Sequence, residues 1–377
     1  MKKIFLLLVV FILTAPVCLA ENIDISDEIY KNSNIADIAN DNAYIEEIAP
    51  EFDFRGLTEA VQNKESIFKP KSIFAKLINL FSKEITNNLY MLFLLIVLAI
   101  IWGIVTNIES SYLSKSVTQT AFFAFYPVFL GILVNGLFEC SSLAKGVISD
   151  QVVFMKSAVP VYIGLTMSLG NVSMATGMEP IFLYFIQLIG GALEKFVLPL
   201  IFWIAILNMI NCITEKFSIK KLIDFIKQII KWGLGILMTI FIGILGMSGI
   251  ATSMTDGLGL KTLKFAVGNF VPVVGGLLSD SVSTVFSSII ILKNAIGVAG
   301  VITLVLSCVI PIIKMLSFML IYKFAAGIVE PISDKKITDM ISEAGSTITF
   351  MFLVLLSVTI MFVLGITIVI NAGYKMI

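Results

Sequence analysis

Apolar positions along this chain come in long uncharged blocks, with little of the strict alternation that marks strands. Blocks of about 20 residues suffice to carry a helix across roughly 30 Å of hydrocarbon. They occupy Asn88 to Ile108, Val117 to Phe138, Ser157 to Met178, Phe196 to Thr214, Trp232 to Thr255, Asn294 to Ile313 and Thr347 to Ile370. The pattern predicts an all-α, polytopic membrane helix bundle with about seven full spans. Three further apolar runs are short: Pro180 to Leu193, Phe265 to Leu292 divided by Asp280, and Met315 to Val329 with Lys323 inside. A fourteen-residue helix reaches only about 21 Å. Such runs are read as re-entrant or broken helices, shielded by protein or water, or as tilted or buried helices. Pro272, Gly275, Gly276 and Pro311 are the candidate turn and hinge positions.

Two stretches are amphipathic instead. Lys71 to Ile85 places Ile73, Phe74, Leu77, Ile78, Phe81 and Ile85 at helical spacing and predicts a surface helix. Glu215 to Lys231 does the same with Ile219, Leu222, Ile223, Ile226, Ile229 and Ile230, and its five lysines against two acids mark it as cytoplasmic. At the start, Lys2 and Lys3, the apolar run Ile4 to Leu13 and the small-residue site ending at Ala20 read as a signal peptide over 1–20, with an uncleaved anchor as the alternative. Between residues 21 and 60 lie Glu21, Asp24, Asp27, Glu28, Asp37, Asp41, Glu46, Glu47, Glu51, Asp53 and Glu59, against Lys31 and Arg55. This acidic segment is expected outside the cytoplasm, as a solvated tether or as a docking surface for a basic partner. The chain thus divides into 1–20, an acidic segment with its surface helix over 21–86, and a membrane domain over 87–377. An external start and four spans would return the lysine-rich helix to the outside, so the count of crossings has a parity problem; counting Pro180 to Leu193 as a crossing repairs it.

Composition narrows the chemistry. A mean hydropathy of +1.00, 58% hydrophobic and 14% charged residues leave room for one membrane domain and little else. Formal charge is zero, which gives no footing for nucleic acid. Cys18, Cys140, Cys212 and Cys308 are scattered and there is no histidine, so neither a zinc site nor a disulfide framework is expected, and no cofactor. Gly246-Met247-Ser248-Gly249 matches the string around the serine of rhomboid-type proteases, yet no histidine is present to take the serine proton. No phosphate-binding glycine loop and no H-E-x-x-H occur, so no enzymatic activity is expected. Val159 to Leu165 resembles Val271 to Leu277, and Glu179-Pro180-Ile181 recurs as Glu330-Pro331-Ile332, but the two offsets differ and make no single duplication.

Charges inside apolar sequence are the remaining candidates. Lys293 and Lys314 flank the run Asn294 to Ile313 and read as helix-end anchors with snorkelling ammonium groups. Lys323 has eight apolar residues before it and six after. At a helix centre a lysine costs about 2.5–3.5 kcal/mol on insertion scales, so Lys323 calls for a partner or a wet cavity, with Glu330 two turns on as one candidate. Asp280 and Glu194 complete the set, although Glu194 and Lys195 could form no more than an interfacial pair.

From Lys69 to the C-terminus, and most specifically over Phe265 to Pro331, the chain resembles the stage III sporulation protein AE family. The matching elements are the signal peptide with its outward segment, Leu198-Pro199-Leu200-Ile201-Phe202, and Gly268-Asn269-Phe270-Val271-Pro272-Val273-Val274-Gly275. They continue through Asp280, Leu292-Lys293-Asn294, Gly297-Val298-Ala299-Gly300, Ile321-Tyr322-Lys323 and Pro331. The resemblance implies a polytopic component of the mother-cell membrane around the forespore. Its implied partners are sister proteins that include an ATPase and a forespore-side protein, in a secretion-like channel complex needed for late forespore development. It carries no enzymatic role. The interrupted region from Phe265 to Val329 is then expected to form an oligomer interface or to line a conduit. The rival readings are a stand-alone secondary transporter for small metabolites, using Lys323 and Asp280, and an assembly scaffold without a conduit.

Overall fold

The computed structural model describes residues 34–50, 52–63, 70–112, 115–169, 172–213, 218–255 and 275–371. The expected signal peptide over 1–20 and Pro272 lie outside them. Among the described residues three short helices come first: α1 (Ile35–Asn40), α2 (Ala43–Ile48) and α3 (Phe54–Gln62). Long rods follow: α4 (Pro70–Tyr112), α5 (Lys115–Ser168), α6 (Val172–Ala192), α7 (Leu198–Ile213), α8 (Lys220–Thr255), α9 (Gly275–Val329) and α10 (Lys335–Asn371). A π-turn, Leu193–Val197, joins α6 to α7. Pro199 has no N–H to give the carbonyl of Lys195, and widening the helix by one residue absorbs that missing bond.

Among the described residues six helices are long and apolar enough to cross a membrane, and the protein is a multi-pass membrane protein. The seven expected spans become six because charge does not interrupt α5. Glu139, Lys145, Asp150 and Lys156 all point outward, while Cys140, Ala144, Val147, Ile148, Gln151, Val152 and Met155 on the opposite side are buried. Most of the second and third expected spans is therefore one rod. In the same way the short run Pro180 to Leu193 continues through the π-turn into α7, and the predicted surface helix over Lys71 to Ile85 continues into the first span as α4. Three helices of crossing length lie between the acidic segment and the lysine-rich start of α8, and Pro180 to Leu193 is part of the third and makes no separate one.

Side-chain pairs fix the helix directions. Tyr162 donates to the carbonyl of Ile296 at 3.1 Å and Tyr322 to that of Leu133 at 3.2 Å, so α5 and α9 are antiparallel. Gly297 lies against Ile370, and Gly345 against Tyr322 and Lys323, so α9 and α10 are antiparallel too. α8 follows α10, with Lys227 Nζ 3.7 Å from Glu343 Oε2. The C-terminal parts of α4 and α9 and the N-terminal parts of α8 and α10 gather at one end of the bundle, where Lys220, Lys221, Lys227, Lys231, Lys335 and Lys336 also lie. At the centre are α9 and α10. Their most apolar stretches are 67% and 61% buried, against 11–39% for the other four.

The acidic segment is more than a tether. Asn42 caps α2 by accepting from the N–H groups of Tyr44 and Ile45, and Asp53 caps α3 by accepting from Arg55 and Gly56. Asn40 ties the two ends together, accepting from Phe54 N–H at 3.0 Å and donating to Asp53 at 3.3 Å. The buried residues Ile35, Ala39, Ile45, Phe54, Leu57 and Val61 turn toward α5 and α9, with Phe54 edge-on to Phe154 at 6.3 Å between ring centroids. Asp37, Asp41, Glu46, Glu47 and Glu59 stay exposed, so the acids cover the outside of a docked cap.

Candidate functional site on the central helix

α9 carries most of the predicted site residues, and the helix sorts them by side. Gly275 and Gly276 open it and Asp280 follows in its second turn, so the turn expected over Pro272 to Asp280 is helix from Gly275 on, and its earlier part lies outside the described residues. Pro311 is buried in the helix interior without a break in the helix. α9 runs unbroken from Gly275 to Val329, so neither Lys293 nor Lys314 stands at a helix end, and the burial of Lys293 does not fit the snorkelling anchor expected of it. Lys293 is only 2% exposed. Lys314 is half-buried and its charge acts on Glu139 of α5, which also feels Glu84 of α4. The three groups lie within electrostatic reach of one another, and among the described residues no ion pair joins them. Neither carboxylate stood out in the sequence, because each closes or precedes an apolar block where charge is ordinary.

Lys323 is on the outside. Its neighbour Tyr322 is fully buried, with its hydroxyl on Leu133. Successive residues on a helix are turned by about 100°, so this anchoring sends Lys323 and Phe324 outward, the latter 62% exposed. Leu320, at 43%, and Gly327 extend the same exposed strip. Glu330 ends the helix and is also exposed, and among the described residues no ion pair joins it to Lys323. The strip is therefore a cation set among apolar side chains on the bundle surface. In a lipid-facing position that combination is costly unless another polypeptide or water covers it.

Glu194 is not part of this grouping. It sits half-buried in the π-turn, on a rod that packs chiefly against α5, α8 and α10. Two features of the centre had no strong signal in the sequence. Gln151 donates to Leu304 O at 3.3 Å and to Thr359 Oγ1 at 3.0 Å, tying α5, α9 and α10 together through buried polar atoms. Gly103 leaves room for the carbonyl of Ile332, so the α9–α10 turn rests directly on the backbone of α4. Among the described residues no group of histidines, cysteines or acids is placed to hold a metal ion.

Residues 52–373 match the family described as stage III sporulation protein AE. Among curated proteins the chain is similar to stage III sporulation protein AE of Bacillus subtilis (strain 168), 29% identical over 326 residues, which cover 86% of this chain and 82% of that protein. No solved structure matches the chain.

Proposed function

The chain belongs to the stage III sporulation protein AE family, and from that premise we propose that it is a non-enzymatic membrane subunit of a channel or secretion-like complex joining mother cell and forespore. In this reading the lysine-rich end faces the mother-cell cytoplasm, as the positive-inside bias favours, and the acidic cap faces the space between the two membranes. Partners are the other stage III proteins, an ATPase subunit among them, a forespore-side protein, and further copies of this chain.

The observation that carries the reading is the exposed strip Leu320, Lys323, Phe324 and Gly327 on the most buried helix pair of the bundle. Gly345 sets Lys323 level with Lys227 and Glu343 at the lysine-rich end, where its ammonium can reach headgroups, so the case for a subunit contact rests on Leu320 and Phe324 exposed beside the small Gly327 on the central helix. The described centre is filled by side chains from α5, α9 and α10, which favours a passage between subunits over one through a single chain. The test is Lys323→Leu in sporulating cells. The variant should reach the membrane in normal amount yet fail to co-purify with its partners, and heat-resistant spores should fall by orders of magnitude. Normal sporulation with a fully assembled complex would sink the assignment of this face.

A further inference from the structure

A groove of about 260 Å³ lies between α6, α8 and α10. Its walls are apolar, built chiefly by Leu193, Leu234, Met238, Phe350, Val354 and Met361. Ser357 also borders it, but that hydroxyl donates to Leu353 O at 2.7 Å and is already engaged within α10. α8 and α10 run side by side in the same direction, so Lys231 and Phe350 mark one end of the groove and Met361 the other. At 1.5 Å per residue the α10 wall is about 16 Å long. Lys227, one turn before Lys231, is taken by Glu343, whereas no carboxylate pairs with Lys231 among the described residues.

Trp232 stands next to Lys231 and is 67% exposed. Exposed tryptophan beside lysine at the end of an apolar helix is the pattern found at headgroup level, with the indole in the interface and the ammonium reaching to phosphate. The groove therefore starts at the interface and runs along the helices into the hydrocarbon. An apolar slot of that direction, closed at the interface by one cation, has the shape and charge of an anionic lipid.

We propose that the groove binds an anionic phospholipid, with one acyl chain along the α8–α10 seam and the phosphate against Lys231. The charge complement is one ammonium at the surface end, and the length suits a single chain. This site does not depend on what the assembled complex transports.

The test uses the full chain carrying Trp203→Phe, reconstituted in phosphatidylcholine vesicles. Trp203 is exposed and Trp102 is 3% exposed beneath Phe122 and Phe125, so bromine on an acyl chain then reaches Trp232 above all. Brominated phosphatidylglycerol should quench with about fivefold higher effective affinity than brominated phosphatidylcholine at equal mole fraction, the increment expected for one lysine near the surface. Lys231→Gln should abolish that preference, and Lys220→Gln, elsewhere on the same helix, should leave it intact. Gly235→Leu, whose added carbon meets nothing within 4 Å, should fill the groove and reduce quenching by both lipids. Equal quenching by the two lipids would overturn the proposal, as would a Lys220→Gln loss as large as that of Lys231→Gln. Quenching that declines as protein replaces lipid would mean that α8 packs on a second copy, and that result also overturns it.

Discussion

Gly136→Ala tests the crossing of α5 and α9 where it is tightest. A methyl carbon at position 136 would run into the Tyr322 hydroxyl and would come within 2.7 Å of the Met91 methyl. Tyr322 is fully buried and holds Leu133 O at 3.2 Å, one turn before Gly136, so its ring has no free direction in which to retreat. Overpacking a dense core costs about 1–3 kcal/mol, and a buried hydroxyl pushed off its acceptor adds about 1–3 kcal/mol. The single variant should therefore lose about 2–6 kcal/mol. Tyr322→Phe removes the obstructing oxygen together with the donor. The Leu133 carbonyl keeps its own helix bond, so this change should cost only about 0.5–1.5 kcal/mol. With the oxygen gone, alanine at 136 fits with a smaller shift, and the double variant should lose less than the sum of the two single losses, by a coupling of about 1–3 kcal/mol. Reversible unfolding in mixed detergent micelles, followed by circular dichroism for all four proteins of the cycle, measures it. Losses additive to within about 0.5 kcal/mol would refute the contact and, with it, the account of why Lys323 faces outward.

Three further outcomes follow from the geometry. Phe54→Ala should cost the cap about 3–5 kcal/mol, seen as rapid protease cutting within residues 34–63 while the fragment holding α4 to α10 stays whole; a cap as resistant as wild type would contradict its docking on Phe154. Glu343→Gln should change stability by less than about 1 kcal/mol, because the pair with Lys227 spans 3.7 Å and both partners are partly solvated; raising the salt should shrink that difference further. Cys140 and Cys308, at 0% and 1% exposure, should resist a maleimide in the folded protein, whereas the half-buried Cys212 reacts; labelling of Cys308 as fast as Cys212 without denaturant would show the core to be packed differently.

The helical membrane character was legible in the sequence because uncharged runs are a composition signal that needs no tertiary information. Counting spans was harder, since a hydropathy window registers a charge but not the side of the helix on which it falls. Glu139, Lys145, Asp150 and Lys156 divided two blocks on paper, yet in α5 they share the outer side of one rod. The same limitation turned Lys293 and Lys314 into apparent helix ends, although the helix continues past both. Lys323 was singled out correctly as an oddity. What orients it, the hydroxyl of Tyr322 on a carbonyl 189 residues earlier, is a long-range contact that no local pattern encodes. The cap was missed for a similar reason: Ile35, Ile45, Phe54 and Leu57 are too sparse among acids to suggest a core until α5 and α9 supply the other half of it.

That shared core imposes an order on synthesis. The cap is made before α4 to α10, but α2 and α3 rest on α9, whose first described residue is 275. More than 200 residues separate the two, so the earliest part of the chain stays unsatisfied until nearly the last helices are in place. Closing so long a loop is slow and comes late. A chain stalled before α9 has Phe154 to receive one side of Phe54 but lacks the α9 surface on which α2 and α3 rest, whereas a finished chain buries both Phe54 and Leu57. The protease resistance of the N-terminal helices is therefore a readout of whether α9 is in place.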